Sequence, residues 1–182
     1  RQMFRTLSLL CRDWGANRSV WIAASTHEGE EEKVLRAFAQ VHQALPNALL
    51  VLVPRHPERF SRVAALCRRH GHEVVLRSER RPCDPAAAVF IGDSMGELVL
   101  FYAASDVAFV GGTLVPVGGH NVLEPAALGI PAVTGPHLHN FEEISRKLIA
   151  AGACRRVDDE GELAAMVIDL LGDADLRFAM GE

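Results

Sequence analysis

The segment with the strongest call for a ligand is Gly111-Gly112-Thr113-Leu114-Val115-Pro116-Val117-Gly118-Gly119-His120-Asn121-Val122-Leu123-Glu124-Pro125. It follows a short apolar run, carries two glycine pairs and ends where Pro125 restricts a helix start to roughly this turn. Backbone N–H groups left free in such a turn form a ready anion site. Asn121 and Glu124 also have the spacing of a capping box, a purely structural use. That use leaves both glycine pairs unexplained, so binding takes precedence and Gly118, Gly119, His120, Asn121 and Glu124 become candidate ligand residues.

Three further loops carry chemistry. In Pro54-Arg55-His56-Pro57-Glu58-Arg59 two prolines hold Arg55 and His56 extended, and an arginine suits a phosphate or carboxylate. A surface ion pair of Arg55 with Glu58 is the competing use. Gly92-Asp93-Ser94-Met95-Gly96-Glu97 has glycines on either side that allow close backbone approach, as a base or phosphate requires, while Asp93 or Ser94 can equally cap the next helix. Ser25 and Thr26 precede an acidic run from Glu28 to Glu32, where ordinary N-capping accounts for most of the pattern.

Other arrangements fail on spacing. His27-Glu28 opens like a zinc-protease helix, yet no second histidine follows four residues on. His137 and His139 lack a nearby carboxylate or cysteine, so a metal is not expected there. Asp173-Ala174-Asp175 has the form used by metal-dependent sugar transferases, but it lies between helical stretches and reads as a helix boundary.

These loops need a scaffold, and the chain supplies one. Short β-rich runs at residues 20–24, 48–53, 73–77, 88–91, 107–110 and 132–134 alternate with helical patterns at 28–45, 59–70, 97–104, 140–151 and 160–171. Such alternation predicts βαβ units and a parallel sheet, whose ligands sit outside the carboxyl ends of the strands. Residues 1–18 read as a lead-in or linker ending in the turn Trp14-Gly15-Ala16-Asn17-Arg18, and residues 19–182 as one domain. A start at Arg1 and a stop within the helical pattern around Met180 suggest an excised domain with its final helix truncated.

Composition narrows the function. A net charge of −4 with scattered Lys and Arg gives no basic face for nucleic acid. The four cysteines are far apart, against both a zinc site and a disulfide framework. Apolar runs fall well short of the roughly 20 residues that span a bilayer.

In combination the segments Ala24-Ser25-Thr26-His27-Glu28-Gly29-Glu30, Pro54 to Arg59, Gly92 to Glu97 and the glycine-rich stretch through Glu124-Pro125-Ala126 resemble the C-terminal domain of Kdo transferases, from about Val20 to the end of the chain. That resemblance implies the Rossmann-like donor half of a GT-B glycosyltransferase, which moves 3-deoxy-D-manno-oct-2-ulosonic acid (Kdo) from CMP-Kdo to the lipid A precursor lipid IVA in lipopolysaccharide synthesis. It implies that Glu124 meets the ribose hydroxyls, that Arg55 faces the phosphate beside the Asn121 turn, and that the Met95 loop lies beside the cytosine. The donor-binding set is then Ser25, Thr26, Arg55, His56, Asp93, Ser94, Met95, Gly96, Gly118, Gly119, His120, Asn121 and Glu124. The family places its general base in the N-terminal domain, so no catalytic residue, metal or cofactor is expected here and the domain alone should be inactive. A soluble domain is expected, working at the cytoplasmic side of the bacterial inner membrane through the rest of the enzyme. A GT-B transferase using UDP-N-acetylglucosamine, or a non-catalytic nucleotide-binding module, are the competing readings.

Overall fold

The computed structural model describes residues 2–15 and 17–181. Its elements run α1 (Gln2–Trp14), β1 (Val20–Thr26), α2 (Glu30–Ala44), β2 (Leu49–Pro54), α3 (Phe60–Arg69), β3 (Val74–Leu76), β4 (Val89–Ile91), α4 (Leu98–Ala103), β5 (Val107–Val110), α5 (Leu123–Ala127), β6 (Ala132–Thr134), α6 (Glu142–Ala150), β7 (Cys154–Arg156), α7 (Glu160–Gly172) and α8 (Ala174–Gly181). The strands form one parallel sheet in the order β3-β4-β2-β1-β5-β6-β7. Because β1 is central, the chain first builds outward through β2 to β4 and then resumes on its other side with β5.

The strands are continuous apolar runs because both faces are covered. Trp21 and Ala23 of β1, Leu50 and Leu52 of β2 and Phe109 of β5 point to one face, against Val34 and Phe38 of α2, Val63 of α3 and Val167 of α7. The alternate residues Ile22, Ala24, Val51, Val53 and Ala108 meet Leu10 and Trp14 of α1 and Phe101 of α4 on the other. This is the period-2 alternation of a strand, used on two sides.

The lead-in segment, whose pattern is mixed helix-like and polar, packs onto the sheet. It is a helix whose Trp14 is buried edge-on to Phe90, with ring centroids 5.2 Å apart, and stacked on Phe101 at 6.4 Å. Its amphipathic pattern finds an uncovered sheet face, so burial rather than linkage sets its structure. After it, Arg18 donates to the carbonyls of Asn47, Ala48 and Ala87 and ties down the amino ends of the strands. Ala16, part of the expected turn, and Glu182 lie outside the described residues.

Strand β7 is an addition to the expected elements, whereas the helical pattern around Met180 is present as α8. Asp173 falls between α7 and α8, where its carboxylate accepts from the Leu176 N–H at 3.0 Å, the helix-boundary use that its spacing predicts.

Candidate functional site

All the candidate loops leave the carboxyl edge of the sheet, and the largest group converges where β1 meets β2 and β5. The β1–β2 register slips between Ala24 and Thr26, and Ser25 takes a left-handed φ of 58°. Such a bulge re-aims the chain beside a site. Gly111 lies flat against it, its N–H donating to the Ala24 carbonyl at 2.6 Å. A Cβ on Gly111 would stand 2.4 Å from the Ser25 oxygen and 2.5 Å from that of Ala24, so backbone contact requires the glycine.

Neither Ser25 nor Thr26 caps α2, contrary to the capping expectation. The strand continues to Thr26, and the cap position falls to Gly29, which has no side chain to offer. Thr26 is fully buried and its hydroxyl has no partner among the described residues, which puts it beneath the site rather than at its surface.

The capping work passes to Glu30, a residue that the sequence reading did not single out. Its buried carboxylate accepts from the N–H of Gly112 at 2.8 Å, Thr113 at 3.1 Å, Leu114 at 3.0 Å and His27 at 3.2 Å. Three consecutive amides of the glycine-rich loop are therefore consumed by an internal anion. Burial lifts the Glu30 carboxyl above the ordinary carboxylate range, and the four N–H bonds pull the other way without cancelling it. Position supplied a signal: Glu30 stands four residues before Val34 and seven before Ala37, on the helix face that is buried.

Three imidazoles gather over this frame. His27 and His120 stack with planes 2° apart and Nε2 atoms 2.7 Å apart, and His56 meets the His27 ring edge-on at 5.4 Å. Burial first, then the neighbouring His27, Arg55 and His56, lowers His120 from the ordinary 6.5 to about 4. Burial and His56 also lower His27, against an opposing pull from Glu31. Both rings are thus neutral at pH 7.

Arg55 is exposed and, among the described residues, makes no ion pair, so the expected competition from Glu58 does not occur. The ion pair forms one turn later, where Arg59 grips Glu31 with two bonds of 3.0 and 2.9 Å. Glu31 is buried and consumed there, which leaves Arg55 as a cation directed outward.

The loop after β4 is braced internally. Asp93 accepts from the Ser78 N–H at 2.8 Å and hydroxyl at 2.6 Å, and Ser94 donates to Glu97 at 2.6 Å. Glu97 also holds Arg77 by two bonds of 3.0 and 2.9 Å. Neither Asp93 nor Ser94 caps α4, since both side chains are committed to these partners. Met95 is left 73% exposed, with Gly96 in open space beside it.

At the start of α5 the capping box does not form. Asn121 accepts from the Leu123 N–H at 2.9 Å, whereas the Glu124 carboxylate accepts no hydrogen bond among the described residues. Glu124 is half-buried near Tyr102, whose buried phenol is pushed up in pKa by burial and then by that charge. The free amides expected of the glycine pairs are largely spent: besides the three taken by Glu30, the Gly118 and Gly119 N–H groups both donate to the Gly112 carbonyl, at 3.1 and 2.8 Å, so the turn is tied to itself rather than left open to an anion. From the far side the Asn140 N–H donates to the Gly118 carbonyl at 3.0 Å and its side-chain amide to the Val117 carbonyl at 3.2 Å. The structure therefore brings Ser25, Arg55, His56, His120, Gly118 and Gly119 around one junction. Asn121 and Glu124 border it on α5, and the Asp93 to Gly96 loop lies along the same edge beyond β2. Among the described residues no cluster of three His, Cys, Asp or Glu side chains could hold a metal ion.

A parallel sheet covered by helices on both faces, with the candidate loops at its carboxyl edge, is the Rossmann-like fold of GT-B glycosyltransferase C-terminal domains. No protein-family model matches the chain. It is 41% identical over 181 residues to the 3-deoxy-D-manno-octulosonic acid transferase of Haemophilus influenzae, covering 99% of this chain and 42% of that protein. The Bordetella pertussis enzyme of the same name is 40% identical over 170 residues, covering 91% and 40%. The crystal structure of the C-terminal CMP-Kdo binding domain of WaaA from Acinetobacter baumannii superimposes with a TM-score of 0.93 at 35% identity, covering 99% of this chain and 94% of that one. The chain belongs to the 3-deoxy-D-manno-octulosonic acid transferase family and corresponds to its C-terminal domain. It spans about two fifths of the length of the curated relatives it matches. No helix among the described residues is long and apolar enough to cross a membrane.

Proposed function

We propose that this domain binds CMP-Kdo and acts as the donor half of a transferase that moves Kdo to a lipid A precursor. The observation that carries the reading is Arg55, a cation without a carboxylate partner among the described residues, set beside neutral His120 and the glycine turn at the switch point. With the loop amides mostly spent on Glu30 and the Gly112 carbonyl, the phosphate attraction rests on the Arg55 guanidinium, and the kinship with a domain that is called CMP-Kdo binding supplies the nucleotide.

The reaction this supports is a displacement at the anomeric carbon. An acceptor hydroxyl oxygen forms the new bond, its proton passing to a base outside this chain, while the bond from the anomeric carbon to the phosphate oxygen breaks and its electron pair leaves with CMP. Arg55 offsets the charge that grows on the departing phosphate, as does the imidazole N–H of a neutral histidine. Glu124, with its free carboxylate, is suited to accept from ribose hydroxyls. Met95 and Gly96 offer an apolar, accessible shelf for the base.

We expect this binding to need no divalent cation, the domain alone to be inactive, and the whole enzyme to work at the cytoplasmic face of the inner membrane. Calorimetric titration of this chain with CMP and UDP, with and without EDTA, tests the reading. CMP binding that persists in EDTA is expected; UDP binding without CMP binding would overturn the donor assignment. Transfer from CMP-Kdo to lipid IVA should appear only when the chain is joined to its native N-terminal half.

A further inference from the structure

Beyond the nucleotide junction, the same edge of the sheet holds a cleft of about 440 Å³ between the loop after β6, the first turns of α6 and the end of β7. A volume of this order is what small-molecule sites offer. Its polar lining is mainly cationic or hydrogen-bonding: Arg146 and Arg156, His137 and His139, and the single carboxylate of Glu142. Arg146 makes no ion pair among the described residues, and Arg156 approaches Asp158 only at 3.9 Å. Arg146 is therefore free to meet a ligand, and Arg156, held by Asp158 only through one long contact at an exposed position, keeps its other guanidinium nitrogens for one.

A second observation is independent of that charge. Ser145 lines the cleft, is buried, and its hydroxyl has no hydrogen-bond partner among the described residues. An unpaired buried hydroxyl costs stability unless something completes it.

The cleft adjoins the glycine turn. A Cβ on Gly118 would lie 2.4 Å from the His139 ring, and Asn140 of the same loop holds the Gly118 and Val117 carbonyls. The Thr113 hydroxyl and carbonyl fix the loop's other end through the N–H groups of Gly135 at 2.8 Å and His137 at 2.9 Å. The loop after β6, which lines the cleft, thus packs directly against the glycine turn.

We propose that this cleft is the subsite for the sugar-acid part of the donor, with Arg146 and Arg156 receiving its carboxylate and with Ser145, His137 and Glu142 available to its hydroxyls. The inference rests on the donor reading above. A carboxylate facing two exposed guanidinium groups, one unpaired and one only loosely held by Asp158, with polyhydroxyl chemistry around it, matches an octulosonic acid better than a neutral hexose.

The test is titration of this chain with CMP and with CMP-Kdo. Arg146→Ala and Arg156→Ala should each weaken CMP-Kdo binding about tenfold while leaving CMP affinity unchanged, a loss of about 1.4 kcal/mol. Lys147→Ala and Arg155→Ala, which remove neighbouring charges outside the lining, should change neither ligand. All four residues are exposed, so folding is not at stake. Equal CMP-Kdo affinity in the wild type and both lining variants would overturn the subsite, as would equal losses in the two control variants. A wild-type chain that binds neither ligand would overturn the donor reading itself and the subsite with it.

Discussion

His27 and His120, 93 residues apart in sequence, share one hydrogen bond between their Nε2 atoms at 2.7 Å. One ring must donate and the other accept, so the pair holds together only while at least one imidazole is neutral. The elements that bring them together are β1 and the glycine-rich loop after β5, the same two that Glu30 fastens from below.

That pair makes stability depend on pH. His120 falls from the ordinary 6.5 to about 4 on folding, so the folded chain favours the neutral ring. Its contribution is complete above about pH 6.5, declines as pH falls toward 4, and is gone below that. Glu30 runs the opposite way, because its raised value favours the acid side. The comparison must therefore be between variants: melting temperature should fall more between pH 7 and pH 4 in the wild type than in His120→Gln. Parallel curves for the two proteins would contradict the assignment.

Glu30→Gln should damage the loop from inside. The substitution replaces a carboxylate that accepts four N–H bonds with an amide whose nitrogen faces those donors. A loss of about 2 to 4 kcal/mol is expected, measured as a lower urea midpoint, with weaker CMP binding in the fraction that remains folded. Wild-type stability in this variant would remove Glu30 from its structural role.

The proposed placement sets Arg55 and Glu124 on opposite parts of one nucleotide, which Arg55→Ala and Glu124→Gln probe separately. Each should weaken CMP binding about tenfold or more. The effect of Arg55→Ala should largely vanish when cytidine replaces CMP, whereas Glu124→Gln should weaken both ligands alike. Since the Glu124 carboxylate closes no capping box, its melting temperature should stay close to that of the wild type. Unchanged CMP affinity in both variants would exclude the proposed placement.

Trp14→Ala tests the first helix. Its ring fills a pocket formed with Phe90 and Phe101 on the sheet, and removal should cost about 3 to 5 kcal/mol by chemical denaturation. A loss below 1 kcal/mol would mean that α1 is only loosely attached.

The strands buried on both faces were legible because their apolar runs are uninterrupted: all six expected strands are present, with Val107–Val110 and Ala132–Thr134 matching residue for residue. Strand β7 escaped because Cys154-Arg155-Arg156 exposes two arginines at the sheet edge, which leaves only Cys154 as an inward signal. Around the site, the glycine pairs and Arg55 stood out by residue type. Glu30 did not, since an acidic residue in a first helical turn has an ordinary explanation in the helix dipole. Only its partners, 82 to 84 residues away, reveal what it does. The same limit applies to Asp93 and Ser94, whose bonds to Ser78 and Glu97 depend on where β3 and β4 lie side by side.

The place of β1 between β2 and β5 also bears on the order of folding. The first half-sheet can grow through near neighbours, but joining β5 to β1 closes a loop of 86 residues, marked by the Asp106 carboxylate on the Val20 N–H at 2.9 Å. Closure of long loops delays the contacts that reward it. The glycine-rich loop cannot take its shape until that seam has zipped, so the proposed CMP binding should return during refolding together with β1–β5 pairing, not with early collapse.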